Sequence, residues 1–366
     1  MTVAAGHERW LRAATESVWG TKDTSPTWIL VPFVDYSVAL TPDARTADVA
    51  LGLEQVRQGQ HFHGIHRIGG GLRTYAYPVL NSSTPLVETL LDWAMTRTAG
   101  ALTSYTLEEY NREISNRHLR HLGMLCNSLT LSCSADSPEL AVDLDLVGKD
   151  EEKITGTDPT IPDPPGDGPF IWLETDLTID DVAVYLQSFS LAINNNVEVA
   201  HCNDRAAQHN RPGRRELSLT IAMPYDAETY TDMLRLGGDL DFAATFTHPV
   251  KATTTNAETA GSDVTVECDQ VYGFYVNDEV YITDGTSEEW ATVDGVSRTN
   301  KTLTLDLTES YGAGATITKG KFLLDLDAAV LDTVGRRFSL NGIDMQELTF
   351  TCAKPAGQAD LVYTVE

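Results

Sequence analysis

Along this chain apolar and polar residues alternate far more often than they recur at helical spacing. Leu140, Val142, Leu144 and Leu146 are interleaved with Ala141, Asp143 and Asp145. Leu217, Leu219 and Ile221 are interleaved with Ser218, Thr220 and Ala222. Successive strand side chains point to opposite faces, so each run needs one buried and one wetter face, as in a sandwich or barrel wall. Two windows break the alternation. Leu86 to Met95 sets Leu86, Leu90 and Trp93 at helical spacing, with Thr84 placed as an N-cap and Pro85 at the first helical position. Asp226 to Leu236 does the same with Tyr230, Met233 and Leu234. Met1 to Gly20 carries Glu8, Arg9 and Arg12 and no apolar stretch, so it reads as a short helix or an arm and not as a secretory signal.

Three short strand segments recur in the same order. Tyr36–Leu40 resembles Phe189–Ile193, Thr74–Pro78 resembles Thr220–Pro224, and Ser128–Cys133 resembles Glu347–Cys352. Their displacements are 153, 146 and 219 residues, so the second copy contains extra chain. Val250 to Thr318 supplies it. Short strand runs there are divided by Asn277-Asp278, Asp284-Gly285 and Thr299-Asn300 turn signals. The expected fold is mainly β, with two similar sandwich or barrel domains, each with a flanking helix, and a small inserted β-module. The first domain covers 1–155, with an N-terminal arm. A linker rich in proline and glycine covers 156–169, and the second domain covers 170–249 and 319–366. The module, 250–318, is placed on the exterior.

Composition narrows the function. The 366 residues carry 53 acidic against 26 basic side chains, a formal charge of −27. Such a surface repels phosphate, which argues against a conventional nucleic-acid grip; solubility is the plainer consequence. No apolar run is long enough for a membrane-spanning helix. The five cysteines are scattered, with no CxxC pair, so reduced thiols are expected in place of a disulfide framework or a zinc site.

Candidate chemistry is sparse. His61, His63 and His66 form the one histidine cluster. His61 and His63 would share a strand face, but no further ligands follow at metal-binding spacing. The carboxylate pairs Asp143/Asp145, Asp239/Asp241 and Asp325/Asp327 could hold calcium or act as acid and base. Each pair alternates with Leu like any half-wet strand, and none sits in an Asp-rich calcium loop. Gly69-Gly70-Gly71 lacks the helix and Lys-Ser/Thr of a phosphate loop and reads as a bulge or hinge at a strand start. Basic residues cluster at Arg117 and Arg120 and at Arg214 and Arg215, without the interleaved aromatics of a single-strand groove. They are expected to meet acidic patches on neighbouring subunits. No catalytic residue, cofactor or metal is assigned.

Several segments resemble the tail tube (major tail) proteins of long-tailed viruses with non-contractile tails. They are Trp19–Thr24 leading to Val31-Pro32-Phe33, Gly123–Ser132 before a strand ending in Val147–Lys149, Gln187–Asn196, and Arg214–Thr220. The resemblance implies six tube domains per ring, an inner wall that is one continuous β-barrel, and rings stacked around a tape-measure protein, with terminator and tip proteins at the ends. With two tube domains per chain, a homotrimer completes a pseudo-six-fold ring; a true hexamer is the competing version. Viral DNA passes without specific binding, and no membrane is involved. The particle's tail is the expected location, with assembly in the host cytoplasm. Asp143 and Asp145 are lumen candidates. The loops Thr41 to Gln60 and Val197 to Pro212 are candidates for ring-to-ring contacts. The alternatives are the inner tube of a contractile injection or secretion machine, and a carbohydrate-binding β surface protein with Trp290 seeding an aromatic platform. A metal-assisted hydrolase built on His61 and His63 is the enzymatic rival.

Overall fold

The computed structural model describes residues 9–46, 61–78, 86–98, 100–111, 118–154, 168–225, 239–337, 345–352 and 361–365. The first part of the chain forms β1 (Arg9–Thr15), β2 (Ile29–Val31), β3 (Asp35–Tyr36), β4 (Ala39–Thr46), β5 (His61–Tyr75) and helix α1 (Leu86–Met95). It continues with β6 (Arg97–Thr98), β7 (Ala101–Leu102), β8 (Tyr105–Asn111), β9 (His118–Ser134), β10 (Ala141–Gly148) and β11 (Asp150–Ile154). The N-terminal segment, expected to be a short helix or arm, holds strand β1, because Leu11 and Ala13 bury on one face and Trp10 and Ala14 on the other, beside Arg12.

The second part begins with β12 (Thr175–Ile179), β13 (Val182–Ala183), β14 (Ser188–Asn194), β15 (Glu198–Ala200), β16 (His209–Arg211), β17 (Glu216–Pro224) and β18 (Asp239–Thr247). Six strands follow: β19 (Lys251–Thr253), β20 (Gly261–Glu267), β21 (Glu279–Thr283), β22 (Glu288–Ser297), β23 (Thr302–Leu307) and β24 (Thr316–Thr318). The chain then returns through β25 (Lys321–Arg337), β26 (Met345–Cys352) and β27 (Val362–Val365).

Eight strands join edge to edge, all antiparallel, in the order β4-β5-β10-β9-β14-β17-β26-β25. The long strands β9 and β25 bend out of this sheet and carry a second layer. On β9 the order is β2-β1-β8-β9-β11; on β25 it is β13-β12-β18-β25-β27. Both halves therefore thread their strands in one pairing order. The six strands β19–β24 form a separate sheet with its own core of Val266, Phe274, Val293, Leu303, Leu305 and Ile317. They occupy the β18–β25 connection, where the first half runs from β8 to β9 through 112–117. The expected second helix, Asp226 to Leu236, lies outside the described residues, as do Thr84, Pro85 and 156–167 of the linker.

One hydrophobic core spans both halves. It fills one face of the eight-stranded sheet in cross-strand rows such as Leu72, Leu144, Leu129, Ile193 and Leu217, each at most 4% exposed. Helix α1 lies on this face and buries Leu86, Val87, Leu90, Leu91, Trp93 and Ala94. Trp93 Nε1 donates to the Met124 carbonyl at 3.1 Å, fixing the helix to β9. The triple glycine sits inside the long β5 and not at a strand start. A Cβ on Gly69 would lie 2.7 Å from the Leu146 carbonyl oxygen, and one on Gly70 2.5 Å from that of Ser37. Close approach of neighbouring backbones requires glycine at both.

The matched sequence segments fare unequally. Tyr36 pairs with Leu72 as Phe189 pairs with Ile221, so the first match joins strands with the same neighbours. The second joins corresponding strands in a shifted register: Thr74 is buried, whereas Thr220 is on the wetter face. The third joins strands with different neighbours. Ser128–Cys133 lies on β9, whose counterpart by pairing is β25, whereas Glu347–Cys352 lies on β26.

Candidate functional site on the open face of the sheet

Among the described residues, the face of the eight-stranded sheet opposite α1 is left open. One row across it reads Asp35, Arg73, Asp143, Thr130, Ala192, Ser218 and Thr351. The next reads Tyr75, Ala141, Ser132, Ser190, Thr220, Thr349 and Thr333. Asp145 stands between Gly71 and Ser128, one row beyond Asp143. The two lumen candidates thus share this face, but most of their companions are hydroxyls. Asp143 lies 3.7 Å from Arg73, and Asp145 accepts a 2.7 Å hydrogen bond from Asn127 Nδ2. The face that carries them is a serine- and threonine-rich surface with scattered charges, a chemistry that offers an extended polyanion no continuous cation track.

The polar residues that shape this wall come from distant parts of the chain. Asn195, fully buried, donates through Nδ2 to the carbonyls of Ala94 (2.8 Å) and Cys126 (3.1 Å). Its Oδ1 accepts from Arg97 at 3.0 Å and from Arg215 Nε at 3.2 Å, and Arg215 also donates to the Met95 carbonyl. This hub ties the end of α1 to the seam between β9 and β14. Glu16 accepts from Gly20 N, Gly123 N, Ser104 Oγ and Thr106 Oγ1 at 2.7–2.8 Å, while Trp19 Nε1 donates to the Gly123 carbonyl at 2.9 Å. Gly123 has φ +67°, and a Cβ there would lie 2.7 Å from Trp19 Nε1.

The basic candidates divide. Arg120 is engaged within the chain, with Glu108 at 2.7 Å and Glu152 at 3.0 Å. Glu108 also takes Arg12 at 2.5 Å and the Tyr110 hydroxyl at 2.8 Å, and Arg12 lies 4.0 Å over the Trp28 ring. Burial alone would raise the Glu108 carboxyl, but hydrogen bonds from Arg12, Tyr110 and Arg120 hold it below its usual range. Arg215 belongs to the Asn195 hub, Arg214 is exposed, and Arg117 lies outside the described residues. His121 is buried beside Tyr36 and 3.5 Å from Glu151, and burial pushes its imidazole down to about 4.

Of the loop candidates, Thr41 is a strand residue of β4 opposite Arg67, and Gln60 lies outside the described residues. Val197 to Pro212 contains the hairpin β15–β16, whose tip turns back to accept the His66 N–H on the Arg205 carbonyl at 2.8 Å. The side chains of His61 and His63, the pair expected to share a strand face, lie outside the described residues. On the module, one carboxylate oxygen each of Asp263, Asp294 and Asp306 lie within 4.8 Å of one another, all exposed.

Both ends of the eight-stranded sheet are edges among the described residues. At one end β4 pairs with β5 only. Ser37 N donates to the Gly71 carbonyl, a phase that turns the Leu40 N–H and C=O away from β5. The Leu40 N–H meets the Glu151 carboxylate instead. At the other end, Leu331–Arg337 of β25 pair with β26 on one side only.

Among the described residues no helix is long and apolar enough to cross a membrane. No curated protein matches the chain. A family model described as phage tail tube protein matches residues 6–276, from just before β1 into the module. The match covers most of the chain, and this chain belongs to the phage tail tube protein family.

Proposed function

We propose that three copies of the chain close into a ring in which each half supplies one of six quasi-equivalent tube units, and that the rings stack into a tail tube. The observation that carries this reading is the shared pairing order of the two halves, joined through β9 and β14 into one sheet without a break. A duplicated unit makes a three-fold assembly behave as a six-fold one. Closing the sheet around an axis also removes its two edges, which would otherwise recruit strands indiscriminately.

In this ring the hydroxyl-rich face bearing Asp143 and Asp145 lines the bore, and DNA slides through because it meets short neutral side chains and carboxylates. The α1 side faces outward with the β19–β24 module. The β15–β16 hairpin and the segment following Thr41 contact the rings above and below. The tube assembles in the host cytoplasm on a tape-measure protein and is capped by terminator and tip proteins. As a wall component it needs no catalytic site.

The test is mass measurement and electron microscopy of purified protein. Rings or tubes built from three chains per ring are expected. Six chains per ring would replace the duplication with a single fused unit, and a persistent monomer under all assembly conditions would overturn the reading.

A further inference from the structure

We infer that the ring closes by pairing the outward edge of β25 with the outward edge of β4 of the next copy, Thr333 opposite Thr41 and Val334 opposite Leu40. This rests on the ring reading above and adds the strands and the register.

The chain contains a template for that junction. Within one copy, β9 pairs with β14 so that Ser128, Leu129 and Thr130 face Asn194, Ile193 and Ala192. Asn195 N donates to the Asn127 carbonyl at 2.8 Å, which sets the hydrogen-bonding phase of this seam. Two bulges map β9 onto β25. Between β8 and β9 the register shifts from Tyr105–Met124 to Leu107–His121, and between β18 and β25 from Leu240–Ala329 to Phe242–Leu326. Between β9 and β10 it shifts from Asp145–Ser128 to Leu146–Cys126, and between β25 and β26 from Thr349–Thr333 to Phe350–Leu331. Both bulges give the same displacement of 205 residues, so Ser128 corresponds to Thr333 and Leu129 to Val334.

The neighbouring strands map β4 onto β14. Leu144 faces Leu72 as Leu348 faces Ile221, and Leu72 faces Tyr36 as Ile221 faces Phe189. Leu40 thus corresponds to Ile193 and Thr41 to Asn194. Carried across, the Leu129–Ile193 and Ser128–Asn194 pairs become Val334–Leu40 and Thr333–Thr41 of two copies.

The edge chemistry agrees with this register. Leu40 and Val334 are both half-buried and already packed against the core, so pairing completes their burial. The outward Leu40 N–H exchanges Glu151 for the Val334 carbonyl. Pro42 corresponds to Asn195 and has no N–H, so the bond that Asn195 makes to Asn127 has no equivalent. The hydrogen-bond ladder of the junction therefore ends at the Leu40 N–H, with the Thr41–Thr333 pair just beyond it.

The test is the double variant Thr41→Cys/Thr333→Cys in the full chain, with the exposed Cys202 replaced by serine. These positions form a non-hydrogen-bonded pair, in which Cα atoms about 4.5 Å apart suit a disulfide. Oxidation of assembled protein should shift the non-reduced band from monomer to linked dimers and trimers. The internal counterpart, Ser128→Cys/Asn194→Cys, should link within one chain. A pair slipped by two residues, Ala39→Cys/Thr333→Cys, should stay monomeric. Rings seen by microscopy without the Thr41–Thr333 link, or linked through the slipped pair, would overturn this junction and leave the ring reading standing. Absence of rings in the unmodified protein would overturn both. As a second variant, Leu40→Pro removes the outward N–H and leaves the β5 bonds intact. It should give a folded chain by circular dichroism that forms no rings, and ring formation by this variant would also overturn the junction.

Discussion

Where the first half sets Arg12, Glu108 and Arg120 in one row across β1, β8 and β9, the second sets Thr178, Ala243 and Asp325 in the corresponding row across β12, β18 and β25. On the opposite face Ala13, Leu107 and His121 are answered by Ile179, Phe242 and Leu326. The first half thus encloses a carboxylate between two guanidiniums and an imidazole in its core. The second packs rings: Phe189 lies 5.8 Å from Phe242 and 6.0 Å from Phe246, which lies 5.8 Å from Phe322. One strand order is held by two chemistries. Alternation and pairing specify the fold, and the contacts that fill it are exchangeable.

The two chemistries should fail differently. The largest loss is expected from Phe242→Ala, about 4 kcal/mol in urea unfolding, because removing a buried ring stacked on Phe189 leaves a cavity. Glu108→Ala should cost about 3 kcal/mol by the same measurement, since two guanidiniums lose their carboxylate; Arg12 and Arg120 are 13% and 20% exposed, and water softens the penalty. Replacing Arg12, Glu108 and Arg120 together by apolar residues of similar volume should be nearly neutral. A triple variant as unstable as Glu108→Ala would show that the first half depends on its ions and not on its shape.

His121 supplies a pH-dependent difference. An imidazole in the unfolded chain titrates near ~6.5, and burial pushes His121 down to about 4. The unfolded chain takes the proton first, so the His121 contribution is intact above about pH 6.5 and is lost as pH falls toward about 4, by at most about 3 kcal/mol. Tyr36 and Glu151 lie against it, and Glu109 acts on both. Burial raises both carboxyls, which contribute in the opposite sense as they protonate. The comparison is therefore with His121→Leu, the residue type at Leu326. The acid-side gap between the two proteins in thermal unfolding should widen from pH 6.5 to 4; a constant gap would remove the imidazole from the account. The smallest effect is expected from Asp145→Asn on the open face, within about 0.5 kcal/mol, because its Asn127 bond is exposed. A larger loss would mean that this face is structural and not a free lining.

Much of the wall was legible in the sequence because alternation reports burial directly. The β10 and β17 patterns, helix α1 at Leu86–Met95 and the Tyr36–Leu40 to Phe189–Ile193 match all survive. The Ser128–Cys133 match did not, because Ser-Leu-Thr-Leu and Glu-Leu-Thr-Phe are what any half-wet strand looks like, and composition cannot distinguish β9 from β26. Strand β1 was missed because Ala13 and Ala14 are both buried and break the alternation. The Glu108 clamp and the Asn195 hub were invisible for another reason. Arg12 lies 96 residues from Glu108 and Arg97 98 residues from Asn195, and only the folded pairing brings them together.

The module leaves and rejoins the wall side by side: His248 N donates to the Gly320 carbonyl at 2.9 Å, and β19 pairs with β24 immediately beyond. Its apolar interior shares no member with that of the wall. A stem this narrow makes the β18–β25 turn a socket. Any folded cargo with neighbouring termini could be grafted there without moving a wall strand, so decoration and conduit are free to evolve at separate rates.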